Sequence, residues 1–126
     1  MDLSIVDALG PGDIVAIDGS HRCLTNSDVT VFFLEVLPCL KSGVLVYIDD
    51  IYIPYDYPPH WSGRWYSEQY LLAVLLLNDS SRYEVSLPAT FIARDPELVI
   101  VLEKLWKKSS ISTAKGVGNG FWMQVR

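Results

Sequence analysis

Two short apolar runs each end in aspartate. Ile14-Val15-Ala16-Ile17 leads into Asp18-Gly19-Ser20-His21, and Val44-Leu45-Val46-Tyr47-Ile48 leads into Asp49-Asp50-Ile51-Tyr52. Between them Val29, Phe32, Phe33, Val36, Leu37 and Leu40 recur at helical spacing. Thr25, Asn26 or Ser27 can cap that helix, because their side-chain oxygens accept from free backbone amides. Ser42-Gly43 ends it. The pattern predicts a βαβ unit, with strands over Asp13–Asp18 and from Val44 to about Asp50. The connection is long enough for a right-handed parallel crossover. The first strand's apolar residues are continuous, as expected of a parallel strand covered on both faces.

Ser4 to Leu9 reads as the end of a helix, stopped by Gly10-Pro11-Gly12. After the second strand comes a loop crowded with prolines and aromatics, Tyr52-Ile53-Pro54-Tyr55-Asp56-Tyr57-Pro58-Pro59-His60-Trp61. A helix covers Glu68 to about Leu77. Tyr83–Leu87 is a third strand, with Pro88 as a break and Thr90–Ala93 as a candidate continuation. Asp95-Pro96-Glu97 opens another helix: Asp95 caps, Pro96 suits the first helical position and Glu97 the positive end of the dipole. Its buried stripe is Leu98, Val101, Leu102, Leu105 and Trp106, with Lys104, Lys107 and Lys108 near its C-terminal end. Ser109–Lys115 reads as a polar linker. Gly116-Val117-Gly118-Asn119-Gly120 is a turn, and Phe121–Val125 a last strand, antiparallel to the third.

The 126 residues predict a single domain, 1–126. The formal charge of −5 speaks against nucleic acid as a partner, since phosphate binders show a basic patch. No run reaches the roughly 18 apolar residues of a membrane span, and the N-terminus lacks a signal-peptide pattern. Cys23 and Cys39 have neither zinc-ligand spacing nor a CxxC motif. Two free thiols and no membrane partner lead us to expect a cytoplasmic chain.

In open α/β sheets, ligands bind just beyond the carboxyl ends of the strands. Asp18, Asp49 and Asp50 stand there. They either meet and bind Mg²⁺ or another hard cation, or cap the following elements and face water. His21 follows the first strand and is a candidate general base, as imidazole titrates near neutral pH. His60, beside Pro58-Pro59 and Trp61, suits packing or a lid. The aromatic loop from Tyr52 to Tyr66 is a substrate lid, a partner surface or a cover for the sheet end. The glycines at 116, 118 and 120 precede a strand, whereas a nucleotide loop follows a strand and opens a helix, so a hairpin turn is the better reading.

Asp13 through His21, the helix to Leu40, Lys41 through Ile51 and the closing Gly120-Phe121-Trp122 resemble class I S-adenosylmethionine-dependent methyltransferases. Tyr66-Ser67-Glu68-Gln69-Tyr70-Leu71-Leu72 is similar to bacterial members of that class. The resemblance covers most of the chain but matches only the C-terminal half of the family's domain. It implies an α/β fold: a three-layer, Rossmann-like partial methyltransferase sheet of local order 4-5-7-6, with the last strand antiparallel. It also implies O-methyl transfer from S-adenosylmethionine to a hydroxyl of a sugar or other small molecule, with Asp18 and His21 near the transfer site. In metal-dependent catechol-type members an Asp follows the fourth strand and Asp-Asn the fifth. Asp18, Asp49 and Asp50 fall there, with Asp in place of Asn at the last.

The family's glycine-rich loop and ribose-binding acid have no counterpart in this sequence, so no cofactor-binding residue is assigned. The resemblance implies that S-adenosylmethionine binds only in the complete enzyme and that this chain alone is inactive. The first strand would then be an open sheet edge, and open edges pair with other chains. A homodimer, or association with a missing N-terminal half, is expected. The other functional reading is a non-catalytic interaction or oligomerisation module.

Overall fold

The computed structural model describes residues 4–78, 81–101 and 118–126. Its elements follow in the order α1 (Ser4–Ala8), β1 (Ile14–Ile17), α2 (Asp28–Val31), β2 (Leu45–Ile48), α3 (Glu68–Asn78), β3 (Tyr83–Pro88), α4 (Ala89–Arg94) and β4 (Phe121–Val125). Four strands make one sheet in the order β1-β2-β4-β3. β1 and β2 are parallel, and β4 runs antiparallel to both β2 and β3. The fold is α/β with an open, mixed sheet.

Ser27 caps α2, its hydroxyl accepting from the Thr30 amide at 3.2 Å. The helical path then loosens into a π turn over Phe32–Val36 and tightens into a 3₁₀ turn over Leu37–Cys39. Pro38 lies in that last turn and has no amide to donate four residues back, so regular winding stops there. Phe32, Phe33, Leu37 and Leu40 still reach the core. Along β2 and β4 burial alternates, because neighbouring side chains point to opposite faces. Val46, Ile48, Phe121, Met123 and Val125 are buried, while Leu45, Tyr47, Trp122 and Gln124 are half-buried.

Three expectations are corrected. β1 is not covered on both faces: Ile14 and Ala16 are exposed, Val15 and Ile17 half-buried. It pairs with β2 alone among the described strands. Thr90–Ala93 does not continue the third strand but lies in α4. β4 begins at Phe121 opposite Pro88, so beyond Pro88 the chain has no ladder to extend. The Ala89 amide instead donates to Gly120 O at 3.0 Å, and the Thr90 hydroxyl to Ile51 O at 2.9 Å.

Third, Leu98 and Val101 are exposed rather than part of a buried stripe. Helical spacing gathers residues on one face but does not supply what covers it. Asp95 does cap, its Oδ1 accepting from the amides of Glu97 and Leu98 at 2.9 and 3.0 Å. The remainder of that expected helix (Leu102, Leu105, Trp106 and its lysines), the Ser109–Lys115 linker, Gly116 and Val117 lie outside the described residues. Among the described residues no helix is long and apolar enough to cross a membrane.

Candidate functional site

β1 and β2 deliver their carboxyl ends side by side, with Ile17 level with Ile48. The chain leaving β1 turns sharply at Gly19, where any β-carbon would collide with the Asp28 carboxylate. That carboxylate takes hydrogen bonds from the Ser20 amide, at 2.7 Å, and from the Ser20 hydroxyl. The loop is thereby tied to the start of α2, and His21 follows in the left-handed region at φ 56°.

His21 is held at both its backbone and its ring. Its carbonyl accepts from the amides of Ser67 and Glu68, at 2.8 and 3.3 Å, and so closes the open amide end of α3. The Ser67 hydroxyl returns a bond by accepting from the Cys23 amide at 2.8 Å. The ring's Nδ1 is hydrogen-bonded to Oε1 of Glu68. Tyr66 lies against the ring with centroids 4.5 Å apart. The imidazole is buried, and its Nε2 faces Asp18 Oδ1 at 3.4 Å and Asp50 Oδ2 at 3.7 Å.

The sequence reading named Asp18, His21 and Asp50, and the fold brings them together. Asp18 is the solvent-facing member, with 72% of its side chain exposed, whereas Asp50 retains 14%. Asp50 stands at φ 54° and takes a hydrogen bond from the Asn119 side-chain amide on Oδ1. Burial pushes the Asp50 carboxyl up; the His21 charge opposes this, and neighbouring Asp49 and Asp18 reinforce it.

Asp49 does not join them. Its Oδ1 accepts from the Tyr47 hydroxyl at 2.7 Å. Burial, followed by that hydrogen bond and the charge of Asp49, pushes the Tyr47 phenol up to about 12. His60 stands apart as well, edge-on to Trp61.

Two residues that matter were not picked out from the sequence. Glu68 is fully buried, and its Oε2 has no hydrogen-bond partner among the described residues. Burial raises its carboxyl from the ordinary 4.5 to about 7, against the opposing pull of the His21 hydrogen bond and charge. Gln69, also buried, accepts from the Tyr52 amide at 2.9 Å and donates to Tyr55 O at 3.4 Å. It fixes the aromatic loop to the start of α3. The signal for Glu68 was its place four residues before Leu72, which puts it on the helix face that enters the core.

The aromatic loop builds a wall beside this centre. Tyr57, Trp61 and Tyr66 touch one another at centroid distances of 5.5 to 6.4 Å. The Arg64 guanidinium lies 4.0 Å over the Trp61 ring. The cavity against this wall measures about 450 Å³, and Tyr66 is shared between it and His21.

The three aspartates do not fit a metal centre. One faces solvent, one is engaged by Tyr47, and the third points an oxygen at imidazole. No group of three or more histidine, cysteine, aspartate or glutamate side chains among the described residues could hold an ion. Gly118-Asn119-Gly120 runs directly into β4, and among the described residues no glycine-rich turn leads from a strand into a helix. The arrangement instead suits proton transfer at Nε2, with Glu68 fixing the ring from behind. No family model, curated protein or solved structure matches the chain.

Proposed function

We propose that the chain is the acceptor side of a methyltransferase-like domain, in which His21 removes the proton from a hydroxyl of a small molecule or sugar. The observation that carries this is the buried His21–Glu68 pair beyond the ends of two parallel strands. Glu68 accepts the Nδ1 proton, which leaves the Nε2 lone pair facing the Asp18–Asp50 opening. A base must lie within hydrogen-bond reach of the proton it takes and carry a pKa near the working pH. Glu68 is a positioning residue and His21 the base. Asp18 and Asp50 favour the imidazolium that forms, because an opposite charge nearby stabilises the charged form. The resemblance of Asp13 through His21 and of Lys41 through Ile51 to class I methyltransferases supports the reaction class. The donor of the methyl group enters no step that these residues perform.

Nitrogen-15 NMR of the His21 ring, run beside transfer assays in which the chain is joined to a cofactor-binding half and given labelled S-adenosylmethionine and a panel of phenols and sugars, tests the reading. The neutral ring should carry its proton on Nδ1. Transfer should rise with pH through about 7 as Glu68 ionises and vanish in His21→Asn. A neutral ring protonated on Nε2 would remove His21 as the base.

A second reading has its own support. β1 leaves one edge unpaired by any described strand, and Ile14 on it is 55% exposed. Ile5 and Leu34 are exposed apolar residues too. On this reading the chain self-associates through that edge. Sedimentation of the wild type and of Ile14→Lys decides it: a dimer that the lysine dissociates supports association, and a monomeric wild type at high micromolar concentration sinks it.

A further inference from the structure

A smaller cavity of about 230 Å³ is lined by Tyr52, Thr90, Ala93, Arg94, Gly118 and Asn119. Pockets for whole small molecules span roughly 300–1,000 Å³, so this space suits one group of a ligand rather than all of it. The chain is acidic overall, yet a guanidinium stands at this cavity. Arg94 sits in the last turn of α4 and packs 4.5 Å over the Tyr55 ring, which restricts its side chain. No hydrogen bond or ion pair engages it among the described residues. The nearby carboxylates are occupied elsewhere: Asp95 caps the amides of Glu97 and Leu98, and Asp50 is held by Asn119. Arginine's five donors form a rigid fork that matches a carboxylate or phosphate.

Of the other polar groups of the lining, the Tyr52 phenol is the one that agrees with that ligand. Burial pushes the Tyr52 phenol up, so it keeps its proton and remains a donor near neutral pH. The Thr90 hydroxyl spends its proton on Ile51 O. Asn119 joins the cavity to the site already described. Its side-chain amide donates to one oxygen of Asp50, and the other oxygen of Asp50 lies 3.7 Å from Nε2 of His21. The cavity and the proposed base are therefore one carboxylate apart.

We infer that the Arg94–Tyr52–Asn119 cavity is an anion subsite, taking the carboxylate or phosphate group of a small molecule whose hydroxyl reaches His21. The hydroxyl end rests on the reading of His21 as a base; anion binding at Arg94 does not. A ligand anchored at one end by a charge and presented at the other to Nε2 would be held for reaction by geometry alone.

Calorimetric titration with benzoate, phenyl phosphate and benzyl alcohol tests the subsite and separates the two anions from their neutral analogue. At least one anion should bind with a Kd below about 10 mM. Arg94→Gln should weaken it tenfold or more, and Arg94→Lys should give an intermediate value, because it keeps the charge and loses the fork. Arg126→Gln, which removes an exposed guanidinium paired with Glu84, should leave affinity unchanged. His21→Asn should also retain binding, so failure of the base reading and failure of the subsite are distinguishable. The inference is overturned by an absence of anion binding, by equal affinity in Arg94→Gln, by an equal loss in Arg126→Gln, or by benzyl alcohol binding as well as the anions. Arg94 is exposed, and an unchanged melting temperature in its variants confirms that affinity rather than folding is read.

Discussion

Replacing Glu68 by Gln should change how stability depends on pH more than it changes stability at any one pH. Glu68 is fully buried with one oxygen unpartnered among the described residues, and burial raises its carboxyl from 4.5 to about 7. Between those values the folded chain holds a proton that the unfolded chain has released. Stability falls with rising pH wherever the native state binds more protons. The contribution is thus fully present below 4.5 and is lost as pH rises through about 7. At 1.36 kcal/mol per pKa unit, the whole loss is about 3 kcal/mol.

Glutamine fixes the neutral form. Its carbonyl oxygen can still accept from Nδ1 of His21, but its amide brings donors to a place where Oε2 had no partner. An unmet buried donor costs about 1–3 kcal/mol, at every pH alike. The stability difference between variant and wild type should therefore shift by about 3 kcal/mol toward the variant from about pH 4 to about pH 8. Urea unfolding followed by tryptophan fluorescence at a series of pH values measures it. Parallel stability curves for the two proteins would refute the assignment of a raised pKa to Glu68.

Asp18→Asn should leave urea stability within about 0.5 kcal/mol of the wild type, because 72% of the side chain is exposed and it makes no close hydrogen bond among the described residues; a loss above about 1 kcal/mol would show that its place beside His21 supports the fold. Gly120→Ala should destabilise by about 1–3 kcal/mol in thermal or urea unfolding, since the new methyl group would strike the Tyr47 ring. Stability equal to wild type would show that the ring yields freely.

The strand-end aspartates and His21 were legible because strand ends are marked locally, by an apolar run and the polar residue that stops it. The same rule could not separate Asp49 from Asp50. Which carboxylate reached His21 depended on the left-handed turn at Asp50 and on the pull of Asn119, and neither is written into the run itself. Glu68 was hidden differently. An acid in the first turn of a helix ordinarily complements the dipole at the surface, and the loop holding its partner lies 47 positions earlier. In α4, Thr90, Phe91 and Ile92 carry strand propensity, yet the ladder ends opposite Pro88. Propensity lost there to the length of a partner that comes about thirty residues later.

The backbone at His21 offers a separate check on whether this loop is built around its imidazole. A residue with a β-carbon in the left-handed region costs roughly 1–2 kcal/mol relative to its ordinary conformations. His21 accepts that cost at φ 56°, where glycine would not incur it. What holds it there is the pair of α3 amides on its carbonyl and the Glu68 carboxylate on its ring. His21→Gly and His21→Ala both remove the ring and leave Glu68 equally unpartnered, so the difference between them isolates the backbone. The glycine variant should be the more stable by about 1 kcal/mol, even though glycine gains entropy on unfolding. If alanine proves the more stable, the loop relaxes out of the left-handed conformation once the ring is gone, and the ring's bond to Glu68 is what imposes the turn. If glycine does, the α3 amides alone hold the turn, and histidine stands there at a cost to folding that its chemistry must justify.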